Sequence, residues 1–142
     1  MTTNDKIASY MVAGESEKLE FKAVLPPSRS IARILCAFAN SAGGALVLGV
    51  DGSQSPPEAV GLSRDFHAHE VTSRAIAFLV PSLSVVHSYA EYEGISLYVI
   101  EVEKSEEQVT VEGKTFLRSE NGVIESPQPA RPVQSCPQSE AL

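Results

Sequence analysis

The chain has 142 residues, 43% of them hydrophobic and 20% charged, which suits one domain with a real core. A formal net charge of −7 excludes DNA binding driven by overall charge, so any nucleic-acid surface has to be local. Two cysteines, Cys36 and Cys136, support neither a disulfide framework nor a Cys-based zinc site, and no apolar stretch approaches the ~20 residues of a membrane span.

Residues 4 to 13 predict a short helix with Ile7, Met11 and Val12 on one side and Gly14 as its stop. From Lys18 to Lys22 the residues alternate, Leu19 and Phe21 pointing one way and Lys18, Glu20 and Lys22 the other, as in a strand with one buried face. Glu20 is then expected on the wet face. Pro26-Pro27 ends this strand, and Ser28 is placed to cap a helix from about Arg29. Ile31, Ile34, Leu35, Phe38 and Ala42 form its core stripe, while Arg29, Arg33 and Asn40 lie opposite. Gly43-Gly44 supplies the left-handed residue that closes it.

Ala45 to Val50 carries no polar side chain and reads as a strand covered on both faces. Asp51-Gly52 turns into a loop to Glu58, and a second amphipathic helix is predicted over Phe66 to Val80, with Val71, Ala75, Phe78 and Leu79 inward and Pro81 as the stop. Strands are predicted over Val85–Tyr92, Ile95–Glu103 and Val109–Arg118, with hairpin turns at Glu93-Gly94, Glu112-Gly113 and Asn121-Gly122 and a short last pairing at Val123-Ile124. Beyond Ser126 the Pro-rich sequence has nothing to bury and reads as a disordered tail. The expected organisation is one α+β domain over 1–125, a mixed β-sheet with two main helices, followed by the tail 126–142. The N-terminus lacks the basic-then-apolar layout of a signal peptide, so a reducing cytoplasm is the expected compartment.

The chemistry-bearing residues concentrate early. If the strand ends converge, Glu15, Glu20 and Asp51 form a carboxylate cluster beside Lys22, Arg29 and Arg33, the arrangement that phosphate chemistry with a divalent metal requires. Their separation of five puts Glu15 and Glu20 on opposite faces of an ideal strand, so the Gly14-Glu15-Ser16 turn has to bring Glu15 back; otherwise Glu20 is a surface acid between two lysines. Lys22, Arg29 and Arg33 near a helix N-terminus are suited to phosphate, or are a solvated helix face. Neither the dinucleotide fingerprint nor the P-loop is present. His67 and His69 point about 200° apart on a helix and make no metal pair, and Cys36 has no base beside it.

Gly14-Glu15-Ser16-Glu17-Lys18-Leu19-Glu20-Phe21-Lys22, then Ala37-Phe38-Ala39-Asn40-Ser41-Ala42-Gly43-Gly44, Leu48-Gly49-Val50-Asp51 and Thr115-Phe116-Leu117-Arg118, together resemble the Schlafen-type, AlbA-related DNA-binding domain family, over roughly Ile7 to Glu125. The resemblance implies a Schlafen/AlbA-like single lobe that binds RNA or DNA, with Lys22, Arg29, Arg33 and Arg118 at the backbone; for Arg118 the alternative is pairing with nearby glutamates. Some Schlafen proteins cut tRNA and rRNA with three acids and a divalent metal. Carried over, Glu15 and Glu20 hold the first two positions and Asp51 stands for the third, with Mg²⁺ or Mn²⁺ as the implied cofactor. The sequence departs from that pattern at Gly52, where nuclease-active relatives have the working aspartate, and at Ala23, where a further base is usual. Larger Schlafen proteins face two lobes across a basic cleft, so a homodimer through the late antiparallel strands is the expected assembly. The alternative to a nucleic-acid-binding domain or endoribonuclease is a non-catalytic protein-interaction or regulatory module.

Overall fold

The computed structural model describes residues 3–120 and 122–126. In chain order the elements are α1 (Thr3–Ala13), β1 (Leu19–Lys22), α2 (Ser28–Asn40), β2 (Gly44–Leu48), β3 (Val50–Asp51), β4 (Glu58–Ala59), a 3₁₀ turn at Arg64–Phe66, α3 (Ala68–Ala77), β5 (Leu79–Val80), β6 (Val85–Tyr92), β7 (Ile95–Val102), β8 (Thr110–Val111), β9 (Phe116–Ser119) and β10 (Gly122–Glu125). The main sheet runs β1-β2-β7-β6; β1 and β2 are parallel and the other pairs antiparallel, so the α+β class with a mixed sheet holds. Among the described residues no helix is long and apolar enough to cross a membrane. The composition-based tail lies, past Ser126, outside the described residues, as do Asn121 and Cys136.

β2 is central because its apolar run buries both faces. Leu46 and Leu48 join the larger core with α2, while Ala45 and Val47 join a second core with Ile7 and Met11 of α1. Val12, expected beside them, is 88% exposed. α1 is also pinned from outside: Tyr10 donates its hydroxyl hydrogen to Glu101 at 2.6 Å and Lys6 pairs with the same carboxylate at 3.4 Å.

α2 is buried on more than one stripe. Ile31 and Ala32, and all of Ile34 to Ala39, are inaccessible because the helix runs between the sheet and β9, and the small Ala32, Ala37 and Ala39 allow close approach on its sides. Its closure needs glycine twice. Gly43 has φ +79°, and a Cβ on Gly44 would stand 2.5 Å from the Phe38 ring and 2.6 Å from the Lys18 carbonyl oxygen. Ala42, placed in the core stripe from sequence, lies past the helix end and is exposed. Ser28 does not cap α2: Pro27 holds the N-cap position, and the Ser28 hydroxyl donates to the Val71 carbonyl at 3.0 Å, tying the start of α2 to α3.

Two predicted elements are broken up. The second helix begins after His67, whose left-handed φ of 56° redirects the chain, and stops at Ala77; Leu79 and Val80 then pair with Val111 and Thr110. The strand expected over Val109–Arg118 divides at Glu112-Gly113, where the sequence also placed a hairpin turn, and φ values of 52° and 79° make that turn tight. The β6–β7 hairpin around Glu93-Gly94 has its predicted limits to within one residue.

Candidate nucleic-acid interface

β1 turns Leu19 and Phe21 into the α1-side core, so Glu20 and Lys22 project toward α2 and β9. On that face Lys22 stays 43% exposed, while Glu20 is largely covered. Arg118, from β9, reaches it with a side chain only 2% exposed: Nη1 donates to Glu20 Oε1 at 2.6 Å, Nη2 to the Ser16 carbonyl at 2.9 Å and Nε to the Glu17 carbonyl at 3.2 Å. Its guanidinium also lies 4.6 Å from the centre of the Phe38 ring. Lys22 pairs with the second Glu20 oxygen at 3.2 Å. Glu20 is thus held between two cations, and a phosphate contact by Arg118 would first require breaking its three bonds.

Beside this set lies a groove of about 530 Å³, bounded by β1, the first turns of α2, and β9–β10. Lys22, Ser30 and Arg33 line it together with Glu20, Phe116 and Glu125. Arg33 is exposed, sits 5.8 Å from the Phe116 ring centre and makes no ion pair among the described residues. Arg29 points elsewhere: it pairs with Glu112 at 3.0 Å and lies over Phe78. Of the four bases singled out from sequence, the structure brings Lys22 and Arg33 into one groove, directs Arg29 to Glu112 and Phe78 outside that groove, and buries Arg118 behind Glu20.

The three acids occupy separate places. Glu15 lines a different cleft, on the α1 side, where its Oε2 accepts the Phe21 N–H at 2.8 Å. Asp51 caps its own turn, accepting from the Ser53 N–H at 2.9 Å and the Ser53 hydroxyl at 2.6 Å, and these bonds hold its carboxyl below the usual carboxylate range. Among the described residues no three His, Cys, Asp or Glu side chains stand close enough to share a metal ion. Cys36 is buried, which pushes its thiol upward and leaves it unreactive.

Asn40, placed from sequence on the α2 face opposite the core stripe, is instead bonded to distant backbone: Nδ2 donates to the carbonyls of Val109 and Phe116 at 2.9 and 3.0 Å, and Oδ1 accepts the Val109 N–H at 2.8 Å. This fastens β9, and with it Phe116 and Arg118, to the end of α2. The signal in the sequence was an amide beside an otherwise apolar helix end, with no indication of its distant partner.

Residues 15–126 match the sequence model of the family described as Schlafen, AlbA_2. The chain belongs to the Schlafen AlbA_2 family. Among solved structures, the N-terminal domain of an ATP-dependent DNA helicase RecG-related protein from Nitrosomonas europaea is similar at a TM-score of 0.61 and 19% identity, over 94% of this chain and 95% of that domain. The DIP2311 protein from Corynebacterium diphtheriae is similar at a TM-score of 0.59 and 14% identity, over 86% of this chain and 26% of that one, so the chain spans about a quarter of it. At these identities the likeness is one of fold. No curated protein matches the sequence.

The divalent metal that the family resemblance implies would need oxygen donors that converge on one point. Glu20 is consumed by Arg118 and Lys22, Asp51 by Ser53, and Glu15 stands on the other side of the sheet edge, so the residues as placed do not fit a three-carboxylate centre. Gly52 is packed against Glu15: a Cβ there would lie 3.1 Å from the Glu15 carboxyl carbon and 3.2 Å from Phe21 Cβ. Gly52→Asp is therefore expected to lower stability by about 1–3 kcal/mol through crowding and carboxylate repulsion. Urea melts should show part of the loss recovered in Gly52→Asp/Glu15→Gln; full stability of the single variant would contradict this packing.

Proposed function

We propose that this AlbA_2 domain binds the sugar-phosphate backbone of RNA or DNA through the groove between β1, α2 and β9–β10. The observation that carries the reading is the convergence on Ser30, in the first turn of α2, of Lys22 and of Arg33, which makes no ion pair among the described residues. There a phosphate meets two cations, unpaired backbone N–H groups and the positive end of a 13-residue helix. Arg118 contributes from behind by neutralising Glu20, which would otherwise repel the same phosphate. The family and the helicase-related neighbour support a nucleic-acid role. No cleavage step enters the reading, because the acids do not converge.

A symmetric homodimer belongs to the same proposal, since two copies would double a small basic surface. The outer edge of β6, which pairs only with β7 among the described residues, supplies a late antiparallel strand for that contact. Electrophoretic shifts with tRNA, single-stranded RNA and duplex DNA test both parts. Two phosphate contacts predict about a tenfold loss of affinity between 50 and 200 mM salt, and four contacts on a dimer roughly a hundredfold. Lys22→Glu/Arg33→Glu should abolish the shift while Arg29→Glu costs less, because Arg29 is not among the residues that line the groove. Unchanged binding in the double variant would reject the groove; light scattering that returns the 15.2 kDa single-chain mass would reject the dimer.

A further inference from the structure

A second concavity lies apart from the groove above. A cleft of about 1270 Å³ opens on the opposite side, between the end of α1, the 52–58 loop and the β6–β7 turn. Its volume exceeds the range typical of small-molecule sites. One wall, α1, lies N-terminal to the residues 15–126 that match the family.

Two properties identify its occupant. The first is apolar surface: Val12 is 88% exposed at the rim although its helix neighbour Met11 is buried, and Tyr92 and Ile95 face it from the hairpin. Together Val12, Tyr92 and Ile95 give the cleft an apolar wall that a partner's aliphatic or aromatic side chain can cover. The second is charge. Glu15, Glu58 and Glu93 line the cleft, and its lining includes no Lys, Arg or His. Glu58 and Glu93 are exposed and make no ion pair among the described residues. Such a lining repels phosphate and attracts cations, so it selects against the ligand proposed for the groove.

We infer that this cleft docks a cationic segment of a partner protein, in which an aliphatic or aromatic anchor packs on Val12, Tyr92 and Ile95 while flanking Lys or Arg side chains meet Glu58 and Glu93. The domain then has two faces of opposite selectivity, one for a nucleic-acid backbone and one for a basic protein segment. The inference does not depend on the groove, because the two sites share no residue.

The test is selection of a random eight-residue peptide library, displayed on phage, against the full-length immobilised chain. Individual peptides are then measured by fluorescence anisotropy. Enriched peptides are expected to combine Lys or Arg with an aliphatic or aromatic residue, and to lose at least tenfold in affinity for Glu58→Lys/Glu93→Lys. A separate loss on the order of tenfold is expected for Val12→Asp, from the apolar burial it forfeits. Lys22→Glu/Arg33→Glu should leave peptide binding unchanged, which separates failure of this site from failure of the groove. All these side chains are on the surface, so circular dichroism should report native folds. Absence of enrichment, enrichment of neutral or acidic peptides, or basic peptides indifferent to both cleft variants would overturn the inference. So would a drop in light-scattering mass in Val12→Asp, which would assign the cleft to a second copy of the chain.

Discussion

Replacing Arg118 by methionine should lower the unfolding free energy by about 3 kcal/mol, the lower end of the range for breaking a buried ion pair. The lower end applies because Glu20 keeps 14% exposure and retains Lys22. The loss has two parts: a carboxylate left short of its closest partner, and the Ser16 and Glu17 carbonyls deprived of their donors. Pairing the change with Glu20→Leu removes the stranded charge and should recover most of the deficit. Urea denaturation reads both, as a midpoint shift at constant slope. A single variant within 1 kcal/mol of the parent, on the scale of an exposed pair, would show that Arg118 is far less buried than described.

Asn40→Ala is expected to cost about 2–4 kcal/mol, because it orphans the Val109 N–H and withdraws a donor from the Val109 and Phe116 carbonyls. Asn40→Asp is the sharper probe. It keeps the acceptor for Val109 but turns a charged oxygen toward two carbonyls, which raises the carboxyl pKa in the folded state. A raised carboxyl pKa means that the folded state gains relative stability where the group is protonated and loses it as pH rises. Relative to the parent chain at each pH, Asn40→Asp should be less destabilised near pH 4 than near pH 7. A deficit independent of pH would show that the side chain does not face those carbonyls.

These two residues also show what the sequence could and could not disclose. The β6–β7 hairpin and the apolar β2 were readable because a left-handed Glu-Gly turn and a run without polar residues each act locally. The alternation in β1 correctly separated Leu19 and Phe21 from Glu20 and Lys22, yet Glu20 itself is largely covered. Periodicity says which side chains share a face and nothing about what covers it; here the cover comes from a residue 98 positions later. Asn40 was misplaced for the same reason, its partners being 69 and 76 residues away. The second helix was overrun because its apolar spacing continues through Phe78 and Leu79, while the decisive events, a left-handed His67 and the pairing of Leu79 with Val111, have no local mark. For the candidate site, residue chemistry named Lys22 and Arg33 but could not tell them from Arg29, which differs only in having Glu112 within reach.

The bond between Glu20 and Arg118 joins the first strand to the last but one. During synthesis the ribosome adds roughly 5–20 residues per second, so Glu20 emerges about 5–20 s before the arginine that neutralises it. Throughout that interval β1 has its parallel neighbour β2 available, but its acidic side has no cover. The nascent chain therefore cannot finish this domain piecemeal from its N-terminus; closure waits for β9, and a chain interrupted before Arg118 is left with an incomplete edge open to chaperones and proteases.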